Sequence, residues 1–390
     1  MVLRCNKIIA ENKKYLFWLA YVMYIAELLF FSSMYGELDS LQMIFAGVRN
    51  ISYLLICTKI MIDFFYKEYD KKEFIFIVVI TALLLISSKV TGNKTMLIYW
   101  VFIVAAHNIE LEKIVKVAII VHLCSMVTII ASSIAGVVEN RIYNQGGFRS
   151  RASLGYQYAT DSSNYFFHMI LMYIYIKKEK ISWESMGGLM LCNLLLFELT
   201  NTRNAFVLGT FALIFAGVLK IFKYLRNNNI VYKVGAIFMM PIVSGMIIYL
   251  SFFYNEQVSW MKKLDALFSG RLAMGYNAFK TYGISIWGRS IQWIGGTRDY
   301  MINPGEYNYV DSSYVQILIN YGVLIFILVC FLFVLLIWKA IKKNDAYLIL
   351  VLIIIILHSI LDPQLLWMAF NPFIMYYPYL QKKTDLIILS

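Results

Sequence analysis

Of 390 residues, 61% are hydrophobic and 15% charged, with a net charge of +12. Such a chain cannot clothe a water-soluble globule of its size, whose surface alone needs more charge. Nor do the excess cations point to nucleic acid, because they recur between apolar runs as membrane-topology signals do. The expected class is an all-α integral membrane protein, one polytopic domain over 1–390.

Apolar runs long enough to cross about 30 Å of hydrocarbon begin at 16–35 and continue at 41–65, 74–88, 95–109, 114–137, 162–176, 186–200, 204–222, 234–254, 312–338, 345–360 and 366–381, about 12 spans in all. The first run lacks a small-residue cleavage site, so no cleavable signal is expected. Basic clusters precede span 1 (Arg4, Lys7, Lys13, Lys14) and follow span 2 (Lys67, Lys71, Lys72), span 4 (Lys113, Lys116), span 6 (Lys177, Lys178, Lys180), span 8 (Lys220, Lys223, Arg226, Lys233) and span 10 (Lys339, Lys342, Lys343), with Lys382 and Lys383 at the end. With this span count all of them share one side, the cytoplasm, and so do both termini. Cys57, Cys124, Cys192 and Cys330 fall inside spans and Cys5 on the cytoplasmic side, so no disulfide framework is expected.

Charges inside spans are costly unless paired. Glu27 in span 1 and Arg49 in span 2 come to similar depth in an antiparallel hairpin, and Lys59 and Asp63 lie four apart on one helix face. Both sets are expected to neutralise each other; a proton or ion pathway is the alternative.

Two outer connections are long, 138–161 and 255–311, and long loops in a tight bundle are where function concentrates. In the second, Val258, Met261, Leu264 and Phe268 repeat at helical spacing, which predicts an amphipathic surface helix. Ser269 then reads as the N-cap of a second helix, with Arg271 in its first turn and Gly283 as its stop near Tyr282. Arg203 in "ELTNTRNAF" follows the capping candidates Asn201 and Thr202, and Arg149 and Arg151 precede the cap-rich stretch Thr160–Asn164. Three outward helix N-termini, each with an arginine, could converge on an anion, since free N–H groups and a forked cation both suit phosphate. The bland reading is that each arginine is solvated or snorkels to the interface.

The segments "RASLGYQYATDSSNYFF", "LTNTRNAF", "LFSGRLAMGYNAF", "WGRSI" and "VDSSYVQILINYGVLIFIL" occur in that order over residues 149–322, with the long outer loop late in the chain. Together they resemble the O-antigen polymerase and ligase superfamily, and within it the Wzy-type repeat-unit polymerases of capsule and exopolysaccharide synthesis. The ending "LDPQLLWMAFNPFIMYYP" is similar in style to the family's last outer turn and span. The resemblance implies a GT-C-like membrane glycosyltransferase of the bacterial plasma membrane that joins undecaprenyl-pyrophosphate-linked oligosaccharides at the outer leaflet. It implies no cofactor and no nucleic acid; membrane lipid, a chain-length regulator and a flippase are the implied neighbours. Carried over, the catalytic arginines that hold the pyrophosphate fall on Arg151, Arg203 and Arg271. Substrate-binding roles fall on Arg149, Arg289, Arg298, Asp161, Asn164, Asp311 and Tyr276. "YATDSSN" departs from the His-Pro-Asn-like stretch of many relatives, which leaves the roles of Asp161 and Asn164 open. The ligases' loop histidine has no counterpart between 255 and 311, which favours polymerase over ligase.

Fixed cations beside a departing pyrophosphate lower the barrier without a metal. The one outer acidic pair with metal-like spacing, Glu37 and Asp39, sits in a short turn and is expected to be solvated. Asp161, Asp265, Asp299, Glu306 and Asp311 are equal candidates for a base, although Asp311 also reads as the cap of span 10. Histidines 107, 122, 168 and 358 lie in or beside spans with no metal spacing. Trp260, Tyr276, Tyr282, Trp287, Trp293, Tyr300, Tyr307 and Tyr309 could stack on sugars or anchor at the interface. The competing classes are a flippase or transporter for the same lipids, disfavoured because no internal repeat is visible, and an acyltransferase, disfavoured because no histidine has the needed loop setting.

Overall fold

The computed structural model describes residues 2–145, 149–222, 230–295 and 307–376. Among these lie thirteen α-helices: α1 (Val2–Phe31), α2 (Asp39–Phe65), α3 (Lys71–Thr91), α4 (Thr95–Ala105), α5 (Leu111–Ile134), α6 (Asp161–Lys177), α7 (Trp183–Thr200), α8 (Arg203–Ile221), α9 (Ile230–Phe252), α10 (Ser259–Leu267), α11 (Arg271–Tyr282), α12 (Ser313–Lys342) and α13 (Ala346–His358). Seven of them, α1, α2, α3, α5, α8, α9 and α12, are long and apolar enough to cross a membrane, while α4 and α13 are shorter apolar helices.

Local chemistry sets many boundaries. α3 opens on a reciprocal capping box, Asp70 with Glu73, and stops at left-handed Gly92 (φ 71°). α7 opens on Ser182, whose hydroxyl accepts from the Ser185 amide, and ends at left-handed Asn201. α13 opens on Asp345, which accepts from Leu348 N at 3.1 Å.

The chain is predominantly helical, as expected, with three departures in detail. β1 (Ile142–Gln145) and β2 (Arg149–Ala152) form an antiparallel hairpin in the 138–161 loop. The run 312–338 is not one straight helix. α12 breaks at Gly322 (φ 88°, ψ 173°), where the 285–289 strand of loop inserts: Val323 N donates to Ser285 O and Arg289 N to Asn320 O, each at 3.0 Å. A Cβ on Gly288 would sit 2.2 Å from Asn320 O, and one on Gly322 would sit 2.3 Å from Gly288 N, so only glycine lets these backbones meet. Finally, the run 366–381 is not a helix over its described part. Residues 366–376 form turns and a 3-10 turn at Pro372–Met375, because prolines at 363 and 372 deny their predecessors the helical region.

That irregular stretch is nevertheless apolar and mostly buried, so its backbone must find partners in the protein. Asn371 Nδ2 donates to Leu365 O (2.6 Å), Leu365 N donates to Ser313 Oγ (3.2 Å), and His122 Nε2 meets Ala369 O. It starts beside the first turn of α12 and finishes with the Tyr376 ring under Lys339 and Lys343, at the other end of that helix.

Burial sorts the helices. α6 and α13 are buried almost all round and form the centre, packed against each other and α8. α2 and α3 turn large apolar side chains such as Met43, Leu54, Met61, Ile75 and Val79 outward. The lysine-bearing turns gather at one end: Lys178 pairs with Asp345 at 2.6 Å, Lys220 reaches Ile181 O, and Lys233 donates to Asn344 Oδ1 at 2.9 Å. The hairpin and the first turns of α6, α8, α11 and α12 gather at the opposite end.

Candidate functional site

Leu361 and Asp362 lie in the turn just beyond α13, which ends at His358, and the first turns of four other helices meet on them. From α6, Asn164 Nδ2 donates to Asp362 Oδ1 at 3.4 Å. From α8, Asn204 Nδ2 donates to Asp362 Oδ2 and, at 3.3 Å, to His358 O. From α11, Arg271 Nε donates to Leu361 O at 3.4 Å. From α12, Ser313 Oγ donates to Asp362 O at 2.6 Å. Helix N-termini carry unmet N–H groups and partial positive charge. The convergence expected for an external anion is therefore present, but a carboxylate of the chain itself stands at its centre. Behind it, His358 Nε2 lies 3.4 Å from Asp362 Oδ2, with the imidazole fully enclosed and the carboxylate 16% exposed.

In front of Asp362 opens a cavity of about 840 Å³, within the range of ligand sites. Arg151, Arg271, Asp161 and Asp311 share its wall with Asp362, among aromatic side chains that include Trp293, Tyr307, Tyr309 and Trp367. Arg151 is placed by β2, opposite Tyr143, and its Nε donates to Thr200 O (2.9 Å) at the C-terminus of α7, where a cation is favoured. Arg271 Nη2 binds Asp311 Oδ2 at 2.9 Å, while Nη1 donates to Ser269 O at 3.0 Å.

The caps around Arg271 differ from the expected ones. Ser269 (φ 54°) and Gly270 (φ 85°) are both left-handed, and neither caps α11 through its side chain. Asp265 does so instead, its Oδ1 accepting from Leu272 N (2.8 Å) and Ala273 N (3.1 Å), which removes it from the candidate bases. Asp311 is not the cap of α12 either; Ser312 holds that position and Asp311 turns to Arg271.

Burial pushes Asp311 up to about 6, against the opposing pull of Arg271 and with Asp362 adding to the rise. Burial likewise pushes Asp161 up to about 8, with a backbone hydrogen bond at Tyr158 opposing and Asp362 adding. Burial thus favours the protonated form of Asp161, while Arg271 keeps Asp311 as its counter-ion.

Of the remaining candidates, Arg203 is exposed on the first turn of α8, next to the inward-turned Asn204, and is not in the cavity wall. Tyr276 packs edge-on to Tyr254 at 6.3 Å, and Arg289 sits at the break in α12; neither lines the cavity. Arg149 lies on β2 opposite Gln145. Arg298, Asp299, Tyr300 and Glu306 lie outside the described residues. Glu37 accepts two bonds from Arg141, at 2.9 and 2.6 Å, so the "GELDS" turn is braced to the 138–161 loop. Among the described residues no group of three or more His, Cys, Asp and Glu is set to hold a metal.

Asp362, Asn204 and Ser313 were not singled out by sequence reasoning, and His358 only as lacking metal spacing. The available signal was "LDPQ", an aspartate fixed before a proline at the end of an apolar run. No protein family, characterised protein or solved structure matches this chain, so its function has to be read from this geometry.

Proposed function

We propose that the chain is a membrane glycosyltransferase that polymerises undecaprenyl-pyrophosphate-linked oligosaccharide repeat units into a capsular, exopolysaccharide or O-antigen chain at the outer leaflet. The observation that carries the reading is the cavity itself: two arginines, three carboxyl groups and several aromatic rings around one space, at the end opposite the lysine-bearing turns. In this reading those turns are cytoplasmic. The chain crosses the membrane about 12 times in a GT-C-like arrangement, the last crossing being the buried irregular stretch, a form tolerated at membrane depth only when enclosed by protein. Both termini are then cytoplasmic.

Arg271 and Arg151 take the pyrophosphate of the donor, whose charge grows as the anomeric bond breaks. The aromatic rings offer faces for sugars of the acceptor unit. Among the described residues the cavity wall carries two arginines and no lysine, so the grip is by directed guanidinium bonds rather than by a broad field.

The test is a deletion strain complemented with wild type or Arg271→Ala. Lipid-linked single repeat units should accumulate at the outer face of the deletion strain, and wild type alone should restore a polymer ladder. Accumulation at the inner face would make the chain a flippase instead. Polymer that forms normally but stays on its lipid carrier would make it a ligase.

A further inference from the structure

We propose that Asp362 is the catalytic base of this site, accepting the proton of the acceptor hydroxyl as that oxygen attacks the anomeric carbon. This rests on the glycosyl-transfer reading above. In the step, the new glycosidic C–O bond forms, the anomeric C–O bond to the donor pyrophosphate breaks, its electron pair leaves with the pyrophosphate, and the hydroxyl proton passes to Asp362. No metal or other co-reactant is needed for the balance.

Geometry separates Asp362 from the other two carboxyl groups. Asp311 Oδ2 is bound by Arg271 at 2.9 Å, and Asp161 sits enclosed on the first residue of α6, where burial favours its neutral form. Among the described residues Asp362 instead meets the Asn164 and Asn204 amides and the His358 imidazole, and it reaches the cavity with one oxygen oriented by each of α6 and α8. The facing titratable and charged groups are thus Asp161 from α6, Arg271 from α11, Asp311 ahead of α12 and His358 from α13.

A second observation lies just behind the carboxylate. Among the described residues Ser162 Oγ, Asn164 Oδ1 and Ser312 Oγ are buried polar atoms without a hydrogen-bond partner, while the His168 ring meets the Gln364 side chain. Unsatisfied groups of this kind are rare and costly in a structural core. Close by, the His168 and His358 rings lie edge-on at a centroid distance of 5.3 Å, and His358 Nε2 is 3.4 Å from Asp362 Oδ2. The His358 ring thus stands beside Asp362 as an acceptor for the proton once the carboxylate has taken it.

The experiment uses the full-length chain in liposomes, with lipid-linked repeat units extracted from a strain deleted for this gene. Asp362→Asn should lower kcat by about a hundredfold or more while KM for the extracted lipid stays within about threefold, and Asp362→Glu should recover part of the rate. Asp362→Asn with near-normal kcat, beside an inactive Arg271→Ala, overturns the assignment but leaves the polymerase reading intact. A wild-type chain that makes no polymer from its own accumulated lipid overturns that reading and the base assignment with it. If Asp362→Asn does not fold, Asn204→Ala decides. Loss of one amide donor should lower kcat about tenfold while KM for the extracted lipid stays within about threefold, a split that a packing role does not produce, and an unchanged kcat overturns the proposal.

Discussion

The molecule buries two charged clusters, one at each end, and they are built on opposite principles. At the lysine end Asp63 has a cation on each oxygen, Lys13 on Oδ1 at 3.0 Å and Lys59 on Oδ2, with the Tyr69 hydroxyl 3.3 Å away. Lys13 also holds Glu68 at 2.9 Å and Lys59 donates to His107 O at 3.3 Å, so the cluster ties α1, α2 and the end of α4 together. Its charges cancel locally and its hydrogen bonds are made. At the cavity end Asp362 is held by the Asn164 and Asn204 amides, with the His358 imidazole behind it and open space in front. A buried charge that is fully paired locks helices, whereas one held in place but not neutralised remains available for chemistry.

The contrast breaks most visibly at Lys59. Lys59→Ala leaves Asp63 buried and short of one partner, which should cost about 3–5 kcal/mol of stability. Yield and melting temperature should fall, while polymer made per folded molecule should not. Loss of specific activity without loss of yield would give this cluster a functional part and erase the distinction. At the opposite end the expectation reverses. Arg271→Lys should fail nearly as badly as Arg271→Ala, by about a hundredfold in rate or roughly 3 kcal/mol of transition-state stabilisation, because an ammonium cannot span both Asp311 and a phosphate with a planar fork. Polymer-length gels with the protein quantified alongside decide it, and a normal ladder from Arg271→Ala would sink the grip at that residue.

A third charged pair tests whether intermediate burial gives intermediate behaviour. Arg49 Nη2 binds Glu27 Oε1 at 2.6 Å, with Glu27 enclosed and Arg49 about a third exposed over the Phe31 ring. Glu27→Ala and Arg49→Ala should each reduce folded yield, and the double change should be milder than their sum by about 1–2 kcal/mol. Strict additivity would dissolve the pair. Smaller again is the pH dependence of the cavity. Asp311 titrates near 6, so as pH falls through that value the carboxylate is neutralised and Arg271 is released from its counter-ion. Affinity for undecaprenyl pyrophosphate should therefore rise below pH 6, by about tenfold at most for the loss of one nearby charge, and Asp311→Asn should flatten the dependence. A profile unchanged by that substitution would show that Asp311 does not govern Arg271.

What was legible in the sequence follows the range of each interaction. The pairs Glu27–Arg49 and Lys59–Asp63 could be read because hydropathy gives depth and a four-residue spacing gives a shared helix face. The helix over 271–282 could be read from its periodicity and its terminal glycine. The cap at Asp265 could not, because two left-handed residues fold the preceding helix back so that a side chain six residues before Arg271 reaches its amides. Nor could the breaks at Gly322 and 366–376, since hydropathy reports burial and is blind to whether buried backbone is helical. Asp362 escaped because its partners Asn164, Asn204 and Ser313 come from three helices far apart in sequence, a meeting that no local pattern encodes.

Arg203 and Asn204 carry the smallest effect and the sharpest local comparison. The resemblance puts Arg203 in the pyrophosphate grip, but adjacent residues on a helix point about 100° apart, so the first turn of α8 can present only one of them to Asp362. It presents Asn204, whose amide bridges Asp362 and His358 O, and leaves Arg203 exposed and outside the cavity wall. Arg203→Ala should therefore change the rate by no more than about threefold, the scale of a solvated charge acting at a distance, whereas Asn204→Ala should lower it tenfold or more by freeing one oxygen of the carboxylate. Measured side by side in liposomes on the same extracted lipid, the two variants need no assumption about the sugar. A hundredfold loss from Arg203→Ala with a mild Asn204→Ala would mean that α8 turns its other face inward when the lipid binds, and the arginine grip would then have to be redrawn around three residues instead of two.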